Sequence, residues 1–274
     1  MRVVAVFSGG GVKALAHLGA YRALGEKGLE PTHYVATSFG SVIAAAIAAG
    51  ATYETLVSGV VAMRGRDVAP PERLALFKGV FADHLIQPEP LRDTIARLVP
   101  ARRWEELRVP VTVTMTDVDS GALVLCGARG GHPHARSDIP LLDALYASCA
   151  LPLYYAPLAY DGHRYAEGGL RAVLPLGAAR ELPADLVVAV NVGPGFDETS
   201  PPGGSGKLPA LVRAYDDATR VLMAGQIEQA IAAWPVDGPR LVLVRPVHEK
   251  GATFAVEHAS RYLDAGYEMT KAAL

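Results

Sequence analysis

Residues 3–15 read VVAVFSGGGVKAL, an apolar run followed closely by three glycines. The run from Arg2 to Phe7 has the apolar, β-branched composition of a buried strand. Apolar positions at three-to-four spacing then predict a helix over residues 12–28, with Gly28 suited to its C-terminal cap. A strand that passes through a glycine loop into a helix is typical of α/β proteins.

The same alternation of strand and helix continues along the chain. A second short strand is predicted at residues 33–36, and an Ala-rich helix at residues 39–50. This order predicts helices packed on a largely parallel sheet. The 274 residues, half of them apolar, suit one large domain over residues 1–274. Further strands are predicted at residues 111–116, 122–126, 186–192 and 241–245.

Two features of the second half of the chain complete the predicted layout. The pair Asp161-Gly162 separates residues 157–160 from 163–166, which predicts a tight β-hairpin with Glu167 at its exit. A long helix is expected after residue 209, and a final helix at residues 258–273. One face of the long helix is expected to carry Leu211, Tyr215, Ala218 and Leu222.

Composition narrows the classes of partner and location. The net charge of -2 and the isoelectric point near 6.4 give no reason to expect a nucleic-acid partner. The most apolar stretch, residues 42–51, is much shorter than the roughly 18 apolar residues of a membrane-spanning helix, so no transmembrane segment is expected. The first strand starts directly after Met1, which leaves no room for a secretion leader and predicts a cytoplasmic protein.

The residue types that commonly bind metals lack the spacing of a metal site. Cys126 and Cys149 show no CxxC spacing and are expected to be reduced thiols in the core. The histidines, among them His17 on the first helix, show no metal-ligand spacing. No metal is therefore expected.

A nucleophile-elbow pattern follows the second predicted strand. Residues 36–40 read ATSFG, with Ser38 at the centre of G-x-S-x-G and Ala36 in place of the first glycine. A serine on such a sharp strand-to-helix turn exposes its hydroxyl, and the small residues two places away relieve crowding. A serine that only caps a helix gives a similar local pattern, so the five residues alone leave both interpretations open.

The glycine loop supplies what a nucleophilic serine needs next. Consecutive glycines at a helix start allow backbone N–H groups to converge on one point, assisted by the positive end of the helix dipole. We therefore predict an oxyanion hole in this loop. Its residues are Gly9, Gly10, Gly11, Val12 and Lys13.

A dinucleotide site is the competing interpretation of the same loop. Gly9, Gly11 and Ala14 satisfy G-x-G-x-x-A after a strand and before a helix. Such a site also requires an acidic residue at the end of the second strand. Because that strand ends in Ala36-Thr37-Ser38, we expect no nicotinamide or flavin. No other cofactor is expected either.

In their order, these motifs resemble the patatin-like phospholipases. The glycine loop and the elbow are followed by ASCALP at residues 147–152, a Tyr-Ala-Pro segment, the Asp-Gly hairpin and the triplet Glu167-Gly168-Gly169. The resemblance covers roughly residues 3–192 and is specific as a combination. It implies an α/β fold of three layers, α/β/α, with a mostly parallel central sheet. It also implies a Ser-Asp dyad without a histidine.

The sequence departs from that family at the acid of the dyad. The family's aspartate precedes Gly-Gly or Gly-Ala, and Glu167 occupies that position here. Asp161 is a poor substitute, because its Asp-Gly pair is typical of a hairpin turn. The resemblance thus implies Ser38 as nucleophile and Glu167 as base. Ala14 and Ala36 replace family glycines, whereas Lys13 keeps the family's positive charge.

A catalytic triad is the alternative source of a base. His248 follows a predicted strand and comes after Ser38 and an acid such as Asp185, which is the order in α/β-hydrolases. In that fold the elbow seldom lies so near the start of the chain. We therefore expect His248 at the surface or at the edge of the core.

The resemblance implies hydrolysis of lipid or phospholipid acyl esters, with peripheral contact to a membrane. Apolar side chains in residues 74–85 would then line or cover an acyl groove, although an ordinary core role fits them equally well. They include Leu76, Phe77, Val80 and Phe81. The alternative function is a non-catalytic acyl-binding or regulatory protein that kept the fold, and Glu167 is the residue that separates the two.

Overall fold

The structure of the protein, a computed structural model, describes residues 1–70, 84–127, 134–199, 209–250 and 256–274. Within these residues one sheet contains nine strands, and every strand predicted from the sequence is present to within two residues. The strands are β1 (Val3–Phe7), β2 (Pro31–Thr37), β3 (Val111–Asp117), β4 (Leu123–Cys126), β5 (Ala135–Arg136), β6 (Leu158–Tyr160), β7 (His163–Glu167), β8 (Leu186–Val190) and β9 (Arg240–Val244).

The helices of the described residues lie between single strands or groups of strands. The glycine loop enters a 3-10 turn at Gly11–Leu15 before the first α-helix begins, so the predicted helix over residues 12–28 is divided in two. The helices are α1 (Ala16–Glu26), α2 (Phe39–Ala48), α3 (Tyr53–Val61), α4 (Gly65–Val68), α5 (Pro88–Leu98), α6 (Leu141–Cys149), α7 (Gly169–Ala172), α8 (Leu176–Arg180), α9 (Ala210–Ala232) and α10 (Ala259–Ala273).

The central strands are parallel and in register, which determines where the loops meet. The sheet order is β5-β4-β3-β2-β1-β8-β9, and β1 is parallel to both β2 and β8. Phe7, at the end of β1, pairs with Ala36 on β2 and Val190 on β8. The loops that leave the carboxyl ends of these strands therefore emerge side by side, which is where α/β proteins place their sites.

Alternate residues of the central strand face two separate cores. Val3, Ala5 and Phe7 pack into one apolar cluster, whereas Val4 and Val6 pack into another on the opposite face. Helices α1, α2, α6 and α10 contribute to the first cluster, and α8 and α9 to the second. A sheet buried on both faces by helices is the predicted three-layer α/β/α architecture, which is confirmed.

The hairpin at Asp161-Gly162 is also confirmed. Both residues have positive φ, 50° and 77°, as a type I′ turn requires, and strands β6 and β7 pair antiparallel around it. Strand β7 then pairs antiparallel with β3, with Met115 opposite Glu167. This pairing attaches the end of the hairpin to the strand next to β2.

Helix α9 packs only in part through the face that its sequence pattern suggests, since Tyr215 of that face is half-buried against the first cluster. Leu211 and Leu222 are 75% and 69% exposed, whereas the buried positions of the helix are Val212, Ala224 and Ile227. The reason is that α9 carries small or apolar residues on two adjacent stripes, and contacts with α7 and α8 select the second. The predicted lid residues Leu76, Phe77, Val80 and Phe81 lie outside the described residues.

Candidate active site

Ser38 lies on a strained turn between β2 and α2. Its φ of 56° and ψ of -140° place a non-glycine residue in a sparsely populated region, which persists only where neighbouring contacts hold it. Two serines supply such contacts. The N–H of Ser38 donates to Oγ of Ser148 at 2.8 Å, and Oγ of Ser41 donates to the Ser38 carbonyl at 2.6 Å. This backbone is that of a nucleophile elbow rather than an ordinary helix cap.

The glycine at the end of the elbow pattern is required by close packing. A methyl group at Gly40 would collide with the carbonyl oxygen of Ser8 and would lie 3.1 Å from that of Phe7. The start of helix α2 therefore rests directly against the start of the glycine loop. Two segments that are distant in sequence are in this way held in contact around Ser38.

Glu167 contacts the Ser38 hydroxyl. The hydroxyl donates to Oε2 of Glu167 at 2.8 Å, and the N–H of Gly169 donates to the other carboxylate oxygen at 3.0 Å. The backbone of Glu167 is also held, because its N–H donates to the Ala150 carbonyl and its own carbonyl accepts from Oγ1 of Thr116. The structure thus brings the two residues of the predicted dyad into hydrogen-bond contact.

Burial dominates the electrostatics of this carboxyl group. Glu167 is 5% exposed, and burial raises its pKa to about 7, although the hydrogen bonds from Gly169 and Ser38 act in the opposite direction. An acid in an apolar site resists ionisation because its charged form loses hydration. A carboxyl group with a pKa close to neutral is well matched to general-base chemistry.

The first glycine of the loop packs on the elbow. A methyl group at Gly9 would lie 3.2 Å from Cβ of Ser38, but the Gly9 N–H itself donates to the Val173 carbonyl at 2.9 Å. Gly11 has the left-handed φ of 57°. Within the described part of the chain, no acceptor takes the N–H of Gly10 or Gly11. These two groups, rather than that of Gly9, are available to an oxyanion.

The last two residues of the predicted oxyanion hole are buried. Val12 is part of the core, and Lys13 is 5% exposed. The Lys13 ammonium group binds Oε1 of Glu198 at 2.9 Å and the carbonyl of Glu249 at 3.1 Å. Its charge is therefore neutralised by a buried carboxylate. The side chain connects the 3-10 turn at Gly11–Leu15 to the loops after β8 and β9.

The acids and the histidine considered as alternatives have other partners. His248 binds Oδ2 of Asp197 through Nδ1 at 2.8 Å and the carbonyl of Arg245 through Nε2 at 3.1 Å. Asp185 binds the N-terminal Arg2. Asp161 occupies the hairpin turn, as expected. Neither His248 nor these acids contacts Ser38, so the geometry does not assemble a triad.

Comparison with known families identifies the chain. The sequence model described as patatin-like phospholipase matches residues 5–180, which include the glycine loop, Ser38 and Glu167. The chain belongs to the patatin-like phospholipase family. The resemblance drawn from the motifs is thereby confirmed, and the protein is a member of a family of lipid hydrolases.

Individual relatives share this region. An uncharacterized NTE family protein of Mycobacterium tuberculosis H37Rv is 30% identical over 191 residues, covering 70% of this chain and 49% of that protein. The omega-hydroxyceramide transacylase of Mus musculus is 27% identical over 175 residues, covering 62% and 27%. Patatin-like phospholipase domain-containing protein 7 of Rattus norvegicus is 26% identical over 204 residues, covering 72% and 14%. The chain thus spans about half the length of these relatives, or less.

One solved structure extends over nearly the whole chain. VipD from Legionella pneumophila covers 99% of this chain and 66% of its own length, at 15% identity and a TM-score of 0.49.

Some contacts of this patatin-like site are not evident from the sequence. Ser148 lies in the ASCALP segment that carries the family resemblance, yet nothing in the local pattern shows that its hydroxyl holds the Ser38 N–H. Thr37 is another example, because its Oγ1 donates to the Ala172 carbonyl at 2.7 Å and contacts Thr114. These residues hold the elbow against the segment that follows Glu167.

Proposed function

We propose that this patatin-like protein is a serine acyl hydrolase that cleaves acyl esters of lipids or phospholipids. The observation that carries the proposal is the 2.8 Å hydrogen bond from the strained Ser38 to the buried carboxylate of Glu167. A nucleophile within hydrogen-bond reach of a base of suitable pKa is the minimum that acyl transfer requires. The activity is that of a phospholipase A if the bound ester is a phospholipid, and that of a carboxylesterase if it is a simpler ester.

The proposed reaction proceeds through an acyl-enzyme. Glu167 takes the hydroxyl proton as Ser38 Oγ attacks the ester carbonyl carbon, and the carbonyl oxygen becomes an oxyanion facing the N–H groups of Gly10 and Gly11. The C–O bond to the alcohol then breaks, and the alcohol leaves with the proton from Glu167. A water molecule then gives a proton to the same carboxylate and attacks the acyl carbon. The bond from that carbon to Ser38 Oγ breaks, Oγ takes the proton back from Glu167, and the fatty acid is released.

A non-catalytic acyl-binding protein is the second candidate function, because the dyad carries Glu where the family carries Asp. The two are separated by labelling with a fluorophosphonate ester, which reacts only with an activated serine. We expect the wild type to be labelled at Ser38, as located by peptide mass, and the Ser38→Ala variant to remain unlabelled. A folded wild type that neither reacts with the probe nor hydrolyses p-nitrophenyl esters would establish the non-catalytic function instead.

The pKa of Glu167 predicts the pH dependence of the reaction. Only the carboxylate form accepts the Ser38 proton, and its pKa is raised to about 7 by burial. We therefore expect kcat/KM to be level above neutral pH and to fall about tenfold per pH unit below about pH 7. The measurement is kcat/KM for a p-nitrophenyl ester between pH 5 and pH 9. An acid limb near the ordinary glutamate value would contradict the raised pKa, and the absence of any acid limb would show that Glu167 is not the base.

We also propose that the site faces a lipid surface in the cytoplasm. Helix α9 reaches the site, since Cε of Met223 would lie 3.2 Å from a methyl group at Gly169. The same helix exposes Leu211, Val221 and Leu222. Exposed apolar side chains on a helix that reaches a lipid hydrolase site favour peripheral membrane contact. The buried free thiols of Cys126 and Cys149 suit a reducing compartment such as the cytoplasm. No helix among the described residues is both long and apolar enough to cross a membrane.

A further inference from the structure

His17 is a fully buried side chain beneath the glycine loop. It lies on helix α1 with 0% exposure, and its ring stacks on that of Phe7 with centroids 4.4 Å apart and planes 2° apart. Its Nε2 lies 3.0 Å from the carbonyl oxygen of Ser8. No step of the proposed reaction uses this imidazole, so its burial calls for a separate explanation.

The hydrogen bond fixes the tautomer of the ring. A carbonyl oxygen only accepts, so Nε2 of His17 carries the hydrogen and donates it to Ser8. Burial lowers the pKa of His17 to about 4, which keeps the ring neutral near pH 7. Its Nδ1 is buried and finds no partner among the described residues. A phenylalanine would fill the same space without that unpaired nitrogen, so the hydrogen bond to Ser8 is what the histidine adds.

Ser8 is the residue at which the glycine loop starts. Its N–H donates to the Val190 carbonyl, and its Oγ accepts from the Val192 N–H at 2.8 Å. Its carbonyl oxygen lies in close contact with Gly40 of helix α2. The position of the Ser8 carbonyl therefore sets the distance between the glycine loop and the elbow. The His17 side chain holds this carbonyl by a hydrogen bond.

We propose that His17 is a positioning residue whose Nε2–H, by holding the Ser8 carbonyl, aligns the N–H groups of Gly10 and Gly11 with the oxyanion formed at Ser38. The inference rests on the proposed acyl hydrolysis. His17 acts through Ser8 and does not touch the substrate. Oxyanion donors must be placed to within a fraction of an ångström, so loss of this support acts on the transition state more than on substrate binding.

The test compares two substitutions that separate the ring from its donor. His17→Phe keeps the stacked ring but removes the N–H, whereas His17→Gln places an amide Nε2 at similar reach without the ring. For His17→Phe we expect kcat to fall about 10- to 100-fold with KM within about threefold. Affinity for a trifluoromethyl ketone, which forms an oxyanion on Ser38, is expected to fall in parallel, and the melting temperature to change little. His17→Gln is expected to recover part of the rate.

A second buried histidine provides the control. His33 lies near the start of β2, at the end remote from Ser38, and its Nε2 is 2.9 Å from Oγ1 of Thr112. His33→Phe is therefore expected to leave kcat unchanged. Rates for His17→Phe within twofold of wild type would overturn the proposal. The proposal would also be overturned if His17→Phe and His17→Gln lost the same factor in kcat and both melted at a clearly lower temperature, because that result indicates a structural role only.

A readout without substrate separates this inference from the proposed function. If wild-type protein shows no hydrolysis, amide hydrogen exchange over residues 8–15 is compared between wild type and His17→Phe. We expect at least about tenfold faster exchange of these amides in the variant, because the loop loses its support. Unchanged exchange would overturn the positioning role, whereas faster exchange would show that His17 holds the glycine loop even though the hydrolase proposal had failed.

Discussion

Substitution of Glu167 by Gln is expected to lower kcat/KM for acyl esters by about 100- to 10,000-fold, the range for loss of a general base. Gln has nearly the same shape and keeps an oxygen for the Gly169 N–H, but it does not accept the Ser38 proton. Fluorophosphonate labelling of Ser38 is expected to slow by a similar factor. A Gln variant that reacts as fast as wild type would show that the base lies elsewhere.

The same variant is expected to be more stable than wild type at alkaline pH. The pKa of Glu167 is raised from 4.5 to about 7, so the folded state holds its proton more tightly than the unfolded state does. Stability from this group is thus greatest below pH 4.5 and is lost as pH rises through about 7. At pH 8, Gln avoids a burial penalty on the order of 3 kcal/mol. Urea unfolding at pH 5 and pH 8 measures the difference, and the titration of His17 cancels because both proteins contain it.

Substitution of Glu167 by Asp keeps the charge but shortens the side chain, and so tests whether the carboxylate must lie at its present distance from the Ser38 hydroxyl. The shorter side chain withdraws the carboxylate by about 1.3 Å from a hydroxyl that it now contacts at 2.8 Å. The backbone is held by Ala150 and Thr116 and resists the compensating shift. We expect about a 100-fold loss of kcat/KM, even though Asp is the residue of the family motif. Wild-type activity in this variant would show that the β7 backbone yields easily.

Substitution of Gly10 by Ala is expected to reduce kcat about 100-fold with little change in KM. The added methyl group would lie 2.5 Å from the carbonyl oxygen of Val192 and 2.8 Å from its Cγ2. A Cβ atom ordinarily lies more than 3.4 Å from its non-bonded neighbours. The loop must therefore move by about 1 Å, and its N–H groups move with it. Steady-state kinetics on a p-nitrophenyl ester measures the effect.

A Gly→Ala substitution in open surroundings is the control for Gly10→Ala, because it restricts the backbone in the same way without a steric clash. A methyl group at Gly25, near the end of α1, meets no atom within 4 Å among the described residues. Gly25→Ala is therefore expected to keep wild-type kcat and to raise stability by about 0.5–1 kcal/mol, because Ala is favoured in helices. If Gly10→Ala also kept full activity, the loop N–H groups would not be the oxyanion donors.

The sequence predicts the parts of the site that depend on local geometry. The sharp turn at Ser38 is predicted by the elbow pattern taken together with the glycine loop, and the Asp161-Gly162 turn by two residues. It also predicts which residues lie at strand ends. It does not predict which N–H in the glycine loop is free, because the acceptor for Gly9, Val173, is remote in sequence.

The amino-acid sequence by itself determined an α/β fold with a largely parallel sheet, because strand and helix periodicity and the turn residues are local properties of the chain. The order of its motifs determined the family resemblance, which in turn implied the three layers. Only the tertiary structure decided that Glu167 reaches Ser38, 129 positions away. It likewise decided that Lys13 is neutralised by Glu198, and that Leu211 and Leu222 face outward. The physical reason is that such distances depend on strand register, on hydrogen bonds that hold the backbone and on which helix face is buried, and these are set by contacts between remote segments.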